Sequence, residues 1–136
     1  MVDLNRVNVL IVDDEPFYRT IVSRLLGQLN VREVLEAENG VQAIELLDTH
    51  EGRIDLIICD IEMPEMNGFE LARKIRYGIV ERYRKIPFLM LTGSDTEDNI
   101  RKGRIHKIDG FIVKTPSSED LRSRILMALS KPAAGK

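Results

Sequence analysis

Val7-Asn8-Val9-Leu10-Ile11-Val12-Asp13-Asp14 is an almost unbroken apolar run that stops on two acids. It reads as a buried strand, and the same construction returns three times: Ile54 to Cys59 stops at Asp60, Phe88 to Leu91 at Thr92, and Phe111 to Val113 at Lys114. Strands apolar throughout belong to parallel sheets covered on both faces. Their C-terminal ends then share one edge, where open α/β sheets bind ligands. Three carboxylates, a hydroxyl and an ammonium are expected to meet there.

Segments of helical periodicity separate the runs, which predicts a doubly wound α/β domain. Pro16 suits the first turn of a helix whose buried face is expected to be Phe17, Ile21, Leu25 and Leu29. Val34 to Ala37 makes a short strand, and Ala43, Ile44 and Leu47 give the next helix its apolar stripe. The loop Pro64 to Gly68 leads into a helix carrying Leu71, Ala72 and Ile75. Ser94 with Glu97 reads as a capping box for a fourth helix around Gly103. Ser117 is expected to cap a fifth, with Leu121, Ile125 and Leu129 inward. The domain is thus expected over residues 1–130, followed by a flexible tail at 131–136 that is rich in Pro, Ala and Gly.

At 136 residues and 43% hydrophobic, the chain has the content of one domain with a continuous core. Twenty basic residues against 22 acidic ones give a net charge of -2, so no overall basic field draws this domain to nucleic acid. The single cysteine, Cys59, has no partner for an internal disulfide, and Met1-Val2-Asp3 lacks the basic start of a signal peptide. The cytosol is the expected compartment. No apolar run approaches the roughly 18 residues that span a bilayer, so membrane contact would require a partner.

Asp13, Asp14 and Asp60 together would place three negative charges within several ångströms, which is strongly unfavourable without a counter-ion. Mg²⁺ suits the site, being hard, bound by carboxylate oxygen and water, and able to keep positions open for phosphate oxygens. Asp60, alone at its strand end, is then free to direct an oxygen at phosphorus and form an acyl phosphate. Lys114 and Thr92 would contact the transferred phosphoryl oxygens, one as a point charge and one as a hydroxyl donor. Taken singly, the acids also suit helix caps, Lys114 a solvated loop and Thr92 a turn. His50 and His106 have no metal-site spacing, and Cys59 reads as a packing residue.

Asp13-Asp14-Glu15, Asp60-Ile61-Glu62-Met63-Pro64-Glu65-Met66-Asn67-Gly68, Leu91-Thr92-Gly93 and Phe111-Ile112-Val113-Lys114 resemble, in order and spacing, the receiver domains of bacterial response regulators. The resemblance implies a flavodoxin-like (βα)5 fold with strand order 2-1-3-4-5. It implies that Asp60 takes a phosphoryl group from a histidine kinase or a histidine phosphotransfer protein. Mg²⁺ is implied on Asp14, Asp60 and the Glu62 backbone carbonyl, with Asp13 acting through water. Thr92 and Phe111 become a switch pair that reshapes the surface of the fourth helix, fifth strand and fifth helix for an output protein. The chain is then a monomer or a weak phosphorylation-dependent dimer, acting as a switch rather than as an enzyme on outside substrates. A Mg²⁺-dependent phosphohydrolase and a phosphorylation-independent interaction module are the rival readings. The first lacks the usual Asp-x-Asp motif, and the complete acidic set argues against the second.

Several positions depart from the family pattern. Thr115 separates Lys114 from Pro116 where the family usually has Lys-Pro, and a cis bond before a non-proline residue costs about 3 kcal/mol or more, so a trans Lys114-Thr115 bond is expected. Glu62 is placed to approach the metal or reach toward Lys114. Phe111 offers no hydroxyl. Lys107-Ile108 stands where many relatives turn with Gly-Ala, which marks the exit of the fourth helix as unusual.

Overall fold

Each apolar run becomes a strand in the computed structural model, which describes residues 3–93 and 97–130. The strands are β1 (Asn8–Val12), β2 (Glu33–Ala37), β3 (Leu56–Asp60), β4 (Phe88–Thr92) and β5 (Gly110–Val113), all parallel in the order β2-β1-β3-β4-β5. Helices α1 (Pro16–Gln28), α2 (Gly40–Thr49), α3 (Gly68–Arg76), α4 (Glu97–Ile105) and α5 (Ser118–Ser130) connect them or follow the last. This is the flavodoxin-like arrangement expected from the resemblance.

Alternation along the strands sorts the core into two layers. Leu10, Val12, Ile57, Cys59, Phe88 and Met90 pack with residues of α2 and α3, whereas Val9, Ile11, Leu56, Ile58, Leu89 and Leu91 pack with α1 and α5. Because both faces are covered, β1, β3 and β4 are buried at every position, which is why they read as continuous apolar runs and not as alternating ones.

The inward face of α1 is not the one the four-residue spacing suggests. Val22 and Leu26 are its fully buried residues, Ile21, Leu25 and Leu29 are only partly covered, and Phe17 is 64% exposed. A step of four residues overshoots a helical turn by about 40°, so the line from Phe17 to Leu29 winds across the helix surface instead of following the core. The stripes of α2 and α3 hold at Ala43, Leu47, Leu71, Ala72 and Ile75. On α5, Leu121 and Ile125 are buried with Ala128, Leu129 is partly buried, and Ser117 Oγ accepts from the Asp120 amide at 3.1 Å.

Helix α4 forms where Gly103 allows it to lie against β5: a Cβ there would come within 2.7 Å of the Phe111 ring. Lys107 takes a left-handed φ of 56°, a role glycine commonly fills, while Ile108 N–H donates to the Gly103 carbonyl at 2.8 Å. Arg76 anchors this turn from α3, donating to the Lys107 carbonyl from Nη2 (2.9 Å) and Nε (3.3 Å). The capping box at Ser94 and the tail at 131–136 lie outside the described residues.

The Lys114-Thr115 peptide is cis, against the expectation of a trans bond. The expectation weighed only the intrinsic preference of the peptide unit. Lys114 is fixed by tertiary contacts that a local preference does not include, its N–H donating to the Thr92 carbonyl at 2.7 Å and its ammonium pairing with Asp60 at 3.0 Å.

Candidate functional site

Sheet register assembles the site. Val12 is level with Cys59, Asp60 with Leu91, and Thr92 with Val113. Asp13, Asp60, Thr92 and Lys114 therefore follow one another across the C-terminal edge of β1, β3, β4 and β5, as the sequence led us to expect. Asp13, Asp14 and Asp60 each present one carboxylate oxygen such that all three atoms lie within 4.8 Å of one another.

The acids differ in environment. Asp13 is 1% exposed; its Oδ1 accepts from the Glu15 amide at 2.9 Å, whereas its buried Oδ2 has no hydrogen-bond partner. Burial pushes its pKa up to about 6, with the Glu15 amide opposing and the Asp60 charge adding to the shift. Asp60 is 5% exposed and also titrates above the ordinary carboxylate range, raised by burial although the Lys114 hydrogen bond pulls it down. A buried oxygen without a partner inside a group of mutually repelling carboxylates is what a divalent cation relieves, and an all-oxygen donor set suits a hard one. The site fits such an ion.

Reading these acids as mere helix caps fails at Asp60, since α3 has its own capping box, with Asn67 Oδ1 accepting from the Glu70 amide at 2.9 Å and Glu70 answering at 3.2 Å. Asp13 is a turn residue in part, through one oxygen only.

Lys114 Nζ lies 3.0 Å from Asp60 Oδ1 and 4.2 Å over the ring of Tyr18. Burial works against its charge, but the Asp60 carboxylate outweighs that and holds its pKa above the ordinary lysine value. Glu62 makes no ion pair with Lys114 among the described residues; its side chain is exposed at the mouth. A cleft of about 400 Å³ opens here, and its walls include Asp60, Glu62, Thr92, Lys114, Asn99 and Tyr18. A larger cleft of about 620 Å³, lined by Leu4, Gln28, Arg122 and Leu126, gathers no comparable acidic group.

Sequence reasoning missed Tyr18 and Asn99. Tyr18 lies in the first turn of α1, four residues after Asp14, so its place beside the acidic strand end was a usable signal, whereas Asn99 reaches the cleft only through the way α4 is laid down. Away from the site, His50 pairs with Glu33 at 3.2 Å and His106 lies against Phe69 with ring centroids 5.7 Å apart. Cys59 is fully buried in the core, and burial followed by the nearby Asp60 charge pushes its thiol well above the ordinary range, as suits a packing residue.

An open parallel sheet with three clustered carboxylates at its C-terminal edge defines a class of α/β proteins that bind ligands at that edge, with a donor set that suits a hard divalent cation. The chain belongs to the response-regulator receiver domain family, whose model matches residues 9–126. It is 32% identical over 123 residues to the chemotaxis protein CheY1 of Helicobacter pylori, covering 90% of this chain and 97% of that one. The structure of the Vibrio cholerae chemotaxis protein CheY4 superposes with a TM-score of 0.81 at 31% identity, covering 91% of this chain and 99% of that one. The receiver domain of the histidine kinase CKI1 from Arabidopsis thaliana, in complex with Mg²⁺ and BeF3⁻, matches with a TM-score of 0.75 at 25% identity, covering 88% and 90% of the two chains. The protein is therefore a phosphoacceptor signalling module of two-component type. No helix among the described residues is long and apolar enough to cross a membrane.

The raised pKa of Asp13 gives a first testable consequence. Folding raises it from 3.8 to about 6, so the folded chain holds this proton more tightly than the unfolded one. The associated stability is fully present below about pH 4 and is lost as pH climbs through about 6. In EDTA, urea titrations should therefore show Asp13→Asn gaining on wild type by on the order of 2 kcal/mol between about pH 4 and 7. A divalent cation should close that gap at neutral pH. An advantage independent of pH would contradict the assignment.

Proposed function

We propose that Asp60 is the phosphoacceptor, taking a phosphoryl group from the phosphohistidine of a histidine kinase or a histidine phosphotransfer protein in the cytosol. The observation that carries this reading is the direct pairing of Asp60 with Lys114 beside Asp13, Asp14 and Thr92. One Asp60 oxygen attacks phosphorus, the bond from phosphorus to the imidazole nitrogen breaks, and the nitrogen keeps the electron pair. Lys114 leaves the carboxylate for a phosphoryl oxygen, and the Thr92 hydroxyl donates to another.

Mg²⁺ is the cation of choice for Asp14, Asp60 and the Glu62 carbonyl, with Asp13 contributing through water. When bound, it supplies the positive charge that lets phosphoryl oxygens approach a cluster of carboxylates. Movement of Thr92 onto the phosphoryl group makes room for Phe111, which rests under Gly103, to turn inward. The surface of α4, β5 and α5 then changes for an output protein, with the chain a monomer or a weak dimer when phosphorylated.

Incubation with acetyl phosphate and Mg²⁺, followed by intact mass measurement, tests the reading. One phosphoryl group per chain is expected with Mg²⁺ and none in EDTA; no mass gain in either would sink it. Rapid consumption of many equivalents of donor would favour a phosphohydrolase instead.

A further inference from the structure

The geometry points to Tyr18 as a positioning residue: its ring face holds the Lys114 ammonium inside the cleft while that ammonium changes partner from the Asp60 carboxylate to the arriving phosphoryl group. This rests on the reading of Asp60 as acceptor. Lys114 Nζ stands 4.2 Å from the Tyr18 ring centroid, well within the roughly 6 Å over which a ring quadrupole attracts a cation. The same nitrogen is 3.0 Å from Asp60 Oδ1, so it lies between a carboxylate and an aromatic face.

A lysine ammonium is a point charge on a flexible stem, and its direction has to come from its neighbours. Among the neighbours described here, Asp60 is the one that chemistry alters. Once its oxygen is bonded to phosphorus, the carboxylate charge that fixed Lys114 is gone from that group, and the ring is unchanged. Tyr18 is itself oriented from outside the cleft: the exposed ring of Phe17 stands edge-on to it, with centroids 5.4 Å apart and planes at 71°. The position of Tyr18 on the first turns of α1, directly after Asp13 and Asp14, ties this ring to the strand end that supplies the acids.

The contact is made by the ring face, so the hydroxyl should be dispensable. Phosphorylation of Tyr18→Leu by acetyl phosphate with Mg²⁺ is expected to be on the order of 3- to 30-fold slower than wild type, the range spanned by a partly desolvated contact of this kind. Tyr18→Phe should restore the rate to within about twofold. Equal rates for Tyr18→Leu and wild type would overturn the inference, as would a Tyr18→Phe as slow as Tyr18→Leu.

A second readout does not depend on phosphorylation. In the unmodified protein, NMR should show the Lys114 ε-methylene protons shifted upfield by the ring in wild type and Tyr18→Phe, and not in Tyr18→Leu. Unshifted Lys114 protons in wild type would overturn the inference even if Asp60 proves not to be the acceptor. Failure of wild type to take up phosphate, with the shift present, removes the Asp60 reading and leaves the ring contact standing.

Discussion

Asp60→Ala should take up no phosphoryl group under conditions that label wild type fully, with the rate falling below about one thousandth, as when a nucleophile itself is removed. Neither neighbouring acid can take its place easily. Asp13 is 1% exposed with one oxygen committed to the Glu15 amide, and among the described residues it is Asp60, not Asp14, that pairs with Lys114. Asp60→Asn sharpens the experiment because it keeps the shape and an acceptor oxygen for Lys114 while removing the attacking charge. Both variants should still fold, since each removes one of three crowded acids even as it leaves Lys114 without its ion pair. A mass gain in Asp60→Asn equal to that of wild type would move the acceptor elsewhere.

What could be read from residues alone followed from burial. β1, β3 and β4 are covered on both faces, so their sequences are apolar at nearly every position and announce the sheet. Parallel orientation then brings Asp13, Asp60, Thr92 and Lys114 to one edge without any knowledge of side-chain placement. The features that escaped depend on how elements are rotated and laid on each other. The stripe on α1 centres on Val22 and Leu26 and not on the line from Phe17, because a helix repeats at 3.6 residues and not at four. The contact between Tyr18 and Lys114 joins the start of α1 to the end of β5 and arises only once both are docked. The burial that leaves one Asp13 oxygen without a partner likewise comes from how the elements are packed, although the other oxygen is satisfied locally by the Glu15 amide.

Lys114→Met should slow phosphorylation by on the order of 100-fold, comparable with the loss of one donor aimed at developing charge. The substitution keeps length and apolar bulk, so what is lost is the ammonium. Asp60, already above the ordinary carboxylate range through burial despite the help of Lys114, should then titrate higher still. The direction of the stability effect follows: a carboxyl whose folded pKa lies above its unfolded one favours folding below the unfolded value, and that benefit disappears as pH rises through the folded pKa. Lys114→Met should therefore lose more stability relative to wild type at about pH 8 than at about pH 5, and denaturant titrations at the two values read this directly. Lys114→Arg separates charge from geometry. Its guanidinium should recover most of the stability by facing Asp60 and can stack on the Tyr18 ring, yet its planar fork on a longer stem does not present the compact point charge of an ammonium to a phosphoryl oxygen, so the rate should stay low. A wild-type rate in Lys114→Met would mean that the cation alone neutralises the transferring group, and the pairing with Asp60 would then be structural.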